Sequence, residues 1–348
     1  MAAGPRQVSR RDFLVELTAS ATLAVALPAA ARAAQSAPAS ADRPWRIDTH
    51  AHWSSPRFFA QNKARGITSQ DALQDWSAAK MVPAMDRDGI ATSMLTISDP
   101  GVWNGDSTAA RAMARELNEI AAKAVSDYPG RFGFMAVLPL PDVDGALREI
   151  EYAFNTLKAD GVGLLSSYGD KYLGNPAFAQ VMDELNRRKA VVFTHPACPA
   201  CMSQATLGDG QARGMEFVFD TTRAIVSVLS TGTAARCADI KFLWSHAGGT
   251  APYITGRIPS GAATPNGVVP ELQKFYYDTS LAFSAYTLPT FKKLVPTSHI
   301  LFGTDFPLGG GGGQGATVKG LVDNGGFSDA ELQAVFRDNA LALFQRLK

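Results

Sequence analysis

The chain has 348 residues, 46% of them hydrophobic, and a formal net charge of +1. That content can bury a large core, and a barrel domain of roughly 250 residues with additions accounts for the length. The near-neutral charge offers no basic field for nucleic acid, and no apolar run of about 20 residues lies beyond the N-terminal region, so no mature membrane-spanning helix is expected.

The first residues read as an address. Ser9-Arg10-Arg11-Asp12-Phe13-Leu14 resembles the twin-arginine export motif; a mildly apolar run follows, ending in Ala31-Arg32-Ala33, a small-x-small cleavage pattern. Residues 1–33 are therefore read as a twin-arginine signal peptide, and residues 34–45, rich in Ala, Pro and Ser, as a flexible linker. The folded domain is expected over 46–348, in a periplasmic or otherwise exported location.

From Trp45 onward, short apolar runs alternate with helical patterns. Strands are expected at 47–52, 91–98, 132–140, 161–167, 190–195, 241–246, 275–280 and 300–307. A helix is expected to end over 81–88, stopped by Gly89, and further helices are expected at 107–126, 144–157, 176–188, 220–229 and 329–347. The aromatic stretch 53–79 reads as an irregular covering loop, and 196–214 as a long loop carrying Cys198 and Cys201. One CxxC without a second pair is poor evidence for a structural zinc site, so it is read as two thiols or a local disulfide with no catalytic role. The glycine run 309–313 lacks a Gly-Lys-Ser/Thr ending and reads as a loop, not a phosphate cradle. Eight strands alternating with helices predict an α/β fold, a (β/α)8 TIM barrel. The rival doubly wound sheet would carry a Gly-rich turn after strand one, and 51–56 holds no glycine.

Of the five histidines, four fall at strand ends. In Ile47-Asp48-Thr49-His50-Ala51-His52, alternation along a strand points His50 and His52 the same way, with Asp48 one step below. His195 ends strand five, His246 strand six, and Asp305 strand eight. Carboxyl ends of barrel strands form one rim, where this fold keeps its chemistry. Imidazoles and a carboxylate gathered there suit a transition metal. His299 opens strand eight, at the opposite rim, and reads as structural. The aromatics Trp53, Phe58, Phe59 and Trp103 are read as core or loop packing.

This order of residues resembles the amidohydrolase superfamily. Ser245-His246-Ala247-Gly248-Gly249, Gly256-Arg257-Ile258 and Gly303-Thr304-Asp305-Phe306-Pro307 are similar to the branch containing aminocarboxymuconate semialdehyde decarboxylase. Leu138-Pro139-Leu140-Pro141-Asp142 and Asp220-Thr221-Thr222-Arg223 further resemble its 6-methylsalicylate decarboxylase-like members. The resemblance implies a single divalent metal on His50, His52, His195 and Asp305, zinc being the expected ion and manganese the alternative. It implies His246 as a catalytic histidine beside the metal, Asp305 in a second role as a catalytic acid, and Arg257 as a contact to a substrate carboxylate, often across a homodimer interface. Strand four offers Gly163-Leu164-Leu165-Ser166 and no lysine, which speaks against a two-metal site bridged by a carbamylated lysine. The chain departs from the muconate enzymes near Ala72, where their second arginine is missing; Arg57 and Arg65 are candidates and no more, so a monocarboxylate is expected.

The leading expectation is a metal-dependent, non-oxidative decarboxylase of an ortho-hydroxylated aromatic acid. A metal-dependent hydrolase of a lactone or amide, built on the same site, is the alternative. A non-catalytic exported metal-binding protein is the third reading, disfavoured by the additional histidine that the ligand set does not use.

Overall fold

A computed structural model describes residues 44–67, 69–197, 209–309 and 313–348. The expected signal peptide, most of the linker, both CxxC cysteines and the middle of the glycine run lie outside the described residues.

Eight parallel strands run in sequence order: β1 (Arg46–His52), β2 (Ile90–Thr96), β3 (Phe132–Val137), β4 (Gly161–Leu165), β5 (Val191–His195), β6 (Lys241–Trp244), β7 (Tyr276–Asp278) and β8 (Ile300–Leu301). Beyond β8 the chain keeps bonding to β1: Thr49 N donates to Phe302 O at 2.8 Å, Asp305 N to His50 O at 2.8 Å, and His52 N to Phe306 O at 2.7 Å. These bonds join the last strand to the first, and the fold is a (β/α)8 barrel. A parallel ring with helices outside buries both strand faces, which is why the strands read as apolar runs without alternation.

Two apolar layers follow from this geometry. One cluster takes Ile47, Met94, Met135, Phe193, Leu243 and Leu301 from six strands and fills the barrel interior, with Ala340 and Phe344 packed against it. A larger cluster lies between sheet and helices. There α3 (Ser107–Asp127) presents Ala110, Met113, Ala114, Leu117, Ala121 and Ala124 at helical spacing, and the Asp106 side chain caps its first turn by accepting from Thr108 N and Ala109 N.

The structure corrects four expectations. The covering loop contains a helix, α1 (Pro56–Ala64), started by Ser55, whose hydroxyl accepts from Phe58 N, and by Pro56 at its first position. The helix expected to end over 81–88 does so, as α2 (Ala78–Arg87). The helix predicted at 220–229 is the last part of α6 (Asp209–Ser230), after α4 (Val143–Asn155) and α5 (Ala179–Arg187). The C-terminal helix is broken into Asp329–Gln333, a π-helical turn over Ala334–Asp338, and Asn339–Leu343. Most of what reads as strand eight is irregular, because Asp305 takes a left-handed backbone (φ 61°) that no strand accommodates. No helix among the described residues is long and apolar enough to cross a membrane.

Candidate metal centre

The carboxyl ends of β1 and β5 and the turn after β8 bring His50, His52, His195 and Asp305 together, buried, with one donor atom from each lying within 4.8 Å of all the others. His50 and His52 share a face of β1, as their spacing requires. The Phe193 ring, two residues before His195 on β5, packs edge-on against His50 at 4.8 Å between centroids and supports it from the interior.

Each imidazole is oriented by what its Nδ1 touches. His50 Nδ1 lies 2.8 Å from Asp278 Oδ2 and 2.8 Å from Ser280 Oγ. His52 Nδ1 lies 3.2 Å from Thr96 O, and His195 Nδ1 lies 2.8 Å from Pro196 O. A carboxylate or carbonyl oxygen can only accept, so all three Nδ1 atoms carry hydrogen and Nε2 is the nitrogen each ring offers to a cation. His50 Nε2 and His52 Nε2 face each other at 3.0 Å, with Asp305 Oδ1 2.7 Å from the latter and 3.4 Å from the former. Asp305 Oδ1 is buried without a hydrogen-bond donor among the described residues. Lone pairs and a carboxylate oxygen converging in a dry pocket repel unless a positive charge sits among them. The donor set therefore fits one divalent ion.

The same conflict is written in the protonation of these groups. Burial opposes a charge on His50, yet the Asp278 and Asp305 carboxylates outweigh it and draw its pKa up to about 10. Burial lowers that of His52; burial, with the neighbouring imidazoles, holds His195 well below its ordinary value. Burial works against the Asp305 carboxylate, but the facing imidazoles of His246, His50 and His52 keep it ionised far below the usual carboxylate range. The pocket is one that takes up positive charge.

His246 stands outside this set. It follows β6 in a turn where it and Ala247 both have positive φ (53° and 54°), and its Nε2 lies 3.7 Å from Asp305 Oδ2. Left-handed non-glycine residues cost about 1–3 kcal/mol each, and here His246 and Asp305, facing one another, both adopt that conformation. The turn is held by Asp278, whose Oδ1 accepts from His246 N and Ser280 N, each at 2.9 Å. Two glycines make the approach feasible. A Cβ on Gly249 would sit 2.0 Å from Val218 O, and one on Gly303 would meet Asp278 Cβ at 2.8 Å and His50 Cβ at 3.0 Å.

Above the donors opens a cavity of about 310 Å³. His246 and Asp305 form its polar end; Phe217, Val218, Leu281 and Ala282 form apolar wall, with Thr250 and Thr287 as hydroxyls. No arginine or lysine is among the described residues that line it. Arg257 is exposed on a 3-10 turn (Thr255–Arg257) and is not part of this lining. Trp53 and Phe58 are buried in the outer core. His299 stacks on Tyr276 at 4.5 Å, away from the site. Asp278 and Ser280 were not singled out from the sequence; the one signal was a lone carboxylate inside an apolar strand, which has to be paired if it is buried.

Fold and site together define an enzyme-type barrel with a mononuclear metal pocket. The Amidohydrolase family matches residues 47–346, and the chain belongs to it. A 6-methylsalicylic acid decarboxylase of Penicillium expansum is 34% identical over 75% of this chain and 85% of its own length. The 6-methylsalicylic acid decarboxylase acuB of Aspergillus aculeatus is 32% identical over 87% of this chain and 97% of its own. Among solved structures, a dihydroxybenzoic acid decarboxylase from a Polaromonas species, with bound manganese and the inhibitor 2-nitroresorcinol, superposes with a TM-score of 0.76 at 22% identity, covering 87% of this chain and 98% of that one.

Proposed function

We propose that this protein is a metal-dependent carboxy-lyase that removes CO2 without oxidation from an ortho-hydroxylated aromatic monocarboxylic acid of the 6-methylsalicylate kind. The observation that carries the reading is the pairing of a four-donor metal pocket with His246 and Asp305 at the end of a small, largely apolar cavity. Its relatives' decarboxylase activity supports the reaction class.

We assign zinc to the site, because three imidazoles and one carboxylate match its usual donors. Held by His50, His52, His195 and Asp305, the ion would supply a Lewis acid for a substrate carboxylate and its neighbouring hydroxyl. The chain's own part is proton handling. An aryl carbanion is too basic to form, so the ring carbon that bears the carboxylate has to be protonated before the C–C bond breaks. His246 Nε2 delivers that proton at the cavity's end, and the ionised Asp305 Oδ2, 3.7 Å away, favours the proton's arrival on that imidazole. The C–C electron pair then returns to the ring, CO2 departs, and the proton left on the aromatic product is replaced at the site from solvent. Phe217, its ring 5.8 Å from that of His195, and Val218 exclude water from the ring's side.

With no cation in the described lining, a second carboxylate on the substrate would be unpaired, which favours a monocarboxylate. We place Arg257, supplied to a partner's site in a homodimer, on the same carboxylate that the ion would hold, in keeping with its exposure. An exported location, resting on Arg10 and Arg11, completes the proposal. The test is CO2 release by zinc- or manganese-loaded protein on a panel of hydroxybenzoates. Turnover of salicylate-type acids that a chelator abolishes and zinc restores is expected. Hydrolysis of lactones or amides with no CO2 from any acid would overturn the reading.

A further inference from the structure

Asp220 has no place in the site as described, yet it is fully buried and sits on α6, close to the chain that follows His195. Its Oδ1 accepts from the Tyr172 hydroxyl at 2.7 Å. Its Oδ2 accepts from Ser166 Oγ and, at 3.1 Å, from Ala197 N. Ser166 Oγ also accepts from Ala197 N, at 2.9 Å.

The Ala197 N–H belongs to the peptide unit whose carbonyl is Pro196 O. That carbonyl is the acceptor 2.8 Å from His195 Nδ1. One amide is thus gripped at its N–H by a carboxylate and a hydroxyl, and at its oxygen by the imidazole. Two consequences follow. The peptide plane is fixed, so Pro196 O cannot rotate away from His195. Withdrawal of the N–H proton toward an anion also enriches the carbonyl oxygen, as in any polarised hydrogen-bond chain. A stronger acceptor at Nδ1 makes Nε2 a better donor to a cation.

We infer that Asp220 is a positioning residue for the metal, acting through the Pro196–Ala197 peptide and His195. His50 has the Asp278 carboxylate directly on Nδ1; His195 has the Asp220 carboxylate one peptide further out. The inference rests on the metal-pocket reading and assigns Asp220 no step in the reaction. The competing role is purely architectural: a pin between α6, the end of β4 and the ribbon that holds Tyr172.

The experiment uses the full chain, stripped of metal and titrated with cobalt(II) against a chromophoric chelator, with the visible cobalt spectrum recorded and thermal unfolding followed in parallel. Asp220→Asn keeps the volume and removes the charge. It is expected to weaken cobalt affinity by about tenfold or more and to shift the visible bands, since an outer partner of a ligating histidine carries roughly 10–100-fold in affinity. Tyr172→Phe cuts the architectural pin and leaves the Oδ2–peptide contact; it is expected to lower the melting temperature with cobalt affinity held within about twofold. An unchanged affinity and spectrum in Asp220→Asn, or equal weakening in Tyr172→Phe, would overturn the relay. If Asp220→Asn does not fold, Ser166→Ala removes the second acceptor of the same N–H; a bound-cobalt spectrum identical to wild type would then overturn it, and a shifted one would support it. Failure of the wild-type protein to bind cobalt would remove the metal pocket itself, a result separate from any difference between variants.

Discussion

Asp278→Asn is the substitution with the sharpest consequence. Oδ1 of Asp278 accepts from two backbone N–H groups, those of His246 and Ser280, while Oδ2 faces His50 Nδ1. An asparagine must keep its oxygen toward the two amides, because a nitrogen there would meet two donors. Its NH2 group then points at His50 Nδ1 and donates. His50 is pushed into the opposite tautomer, with hydrogen on Nε2, the atom that faces the ion. The pocket falls from four donors to three. The expected loss of zinc affinity is about 100-fold or more, equivalent to about 2.7 kcal/mol. Asp278→Ala gives the counter-test. It leaves Ser280 Oγ, 2.8 Å from Nδ1, able to accept and restore the ligating tautomer. Alanine should therefore bind zinc more tightly than asparagine while unfolding at lower temperature, since it strands two buried amides. Competition titration with a chelator measures the first ordering and thermal unfolding of the metal-free proteins the second. Zinc affinity of Asp278→Asn equal to wild type, or below it by no more than Asp278→Ala, would refute the tautomer argument.

Three further outcomes are expected. His246→Ala should retain most of the metal, since His246 is not among the four donors, and lose at least about 100-fold in kcat; metal analysis beside steady-state rates decides it, and parallel loss of both would contradict the assignment. Arg257→Ala should raise KM for the acid with a smaller change in kcat, and mixing it with a metal-ligand variant should restore part of the activity if the arginine serves a partner's site; an unchanged KM would remove Arg257 as a substrate contact. Glu331, bonded by Ser328 N and then by Lys292, has its pKa lowered to about 2. A carboxylate depressed in the folded state stabilises above its unfolded value and loses that contribution as pH falls toward the folded one. Glu331→Gln should thus cost about 1 kcal/mol in denaturant unfolding at pH 7, a difference that narrows as pH drops from about 4.5 toward 2; a cost that grows with acid would reverse the sign and refute the capping role.

The readable part of this chain is what regular backbone encodes. Alternation along β1 placed His50 and His52 on one face, and the apolar run of β5 placed His195 at its end, because in a barrel strand position and rim position are the same fact. Asp305 and His246 were legible as residues and not as geometry: both lie past the regular strands, in left-handed turns that nothing in local propensity announces. The α1 helix was missed although Ser55 and Pro56 carry a start signal, because its aromatic pair Phe58 and Phe59 gave no clear helical stripe. Asp278, Ser280 and Asp220 act through partners more than twenty residues away in sequence, so their roles exist only once the strands are side by side.

The seam between first and last strands has a temporal meaning. His50 and His52 emerge first, His195 more than a hundred residues later, and Asp305 more than a hundred residues after that. A nascent chain short of that point carries imidazoles but no complete cage, and its barrel lacks the strand that shuts it. Ion capture is therefore deferred until the last strand has emerged, and once made it clasps that strand to the first.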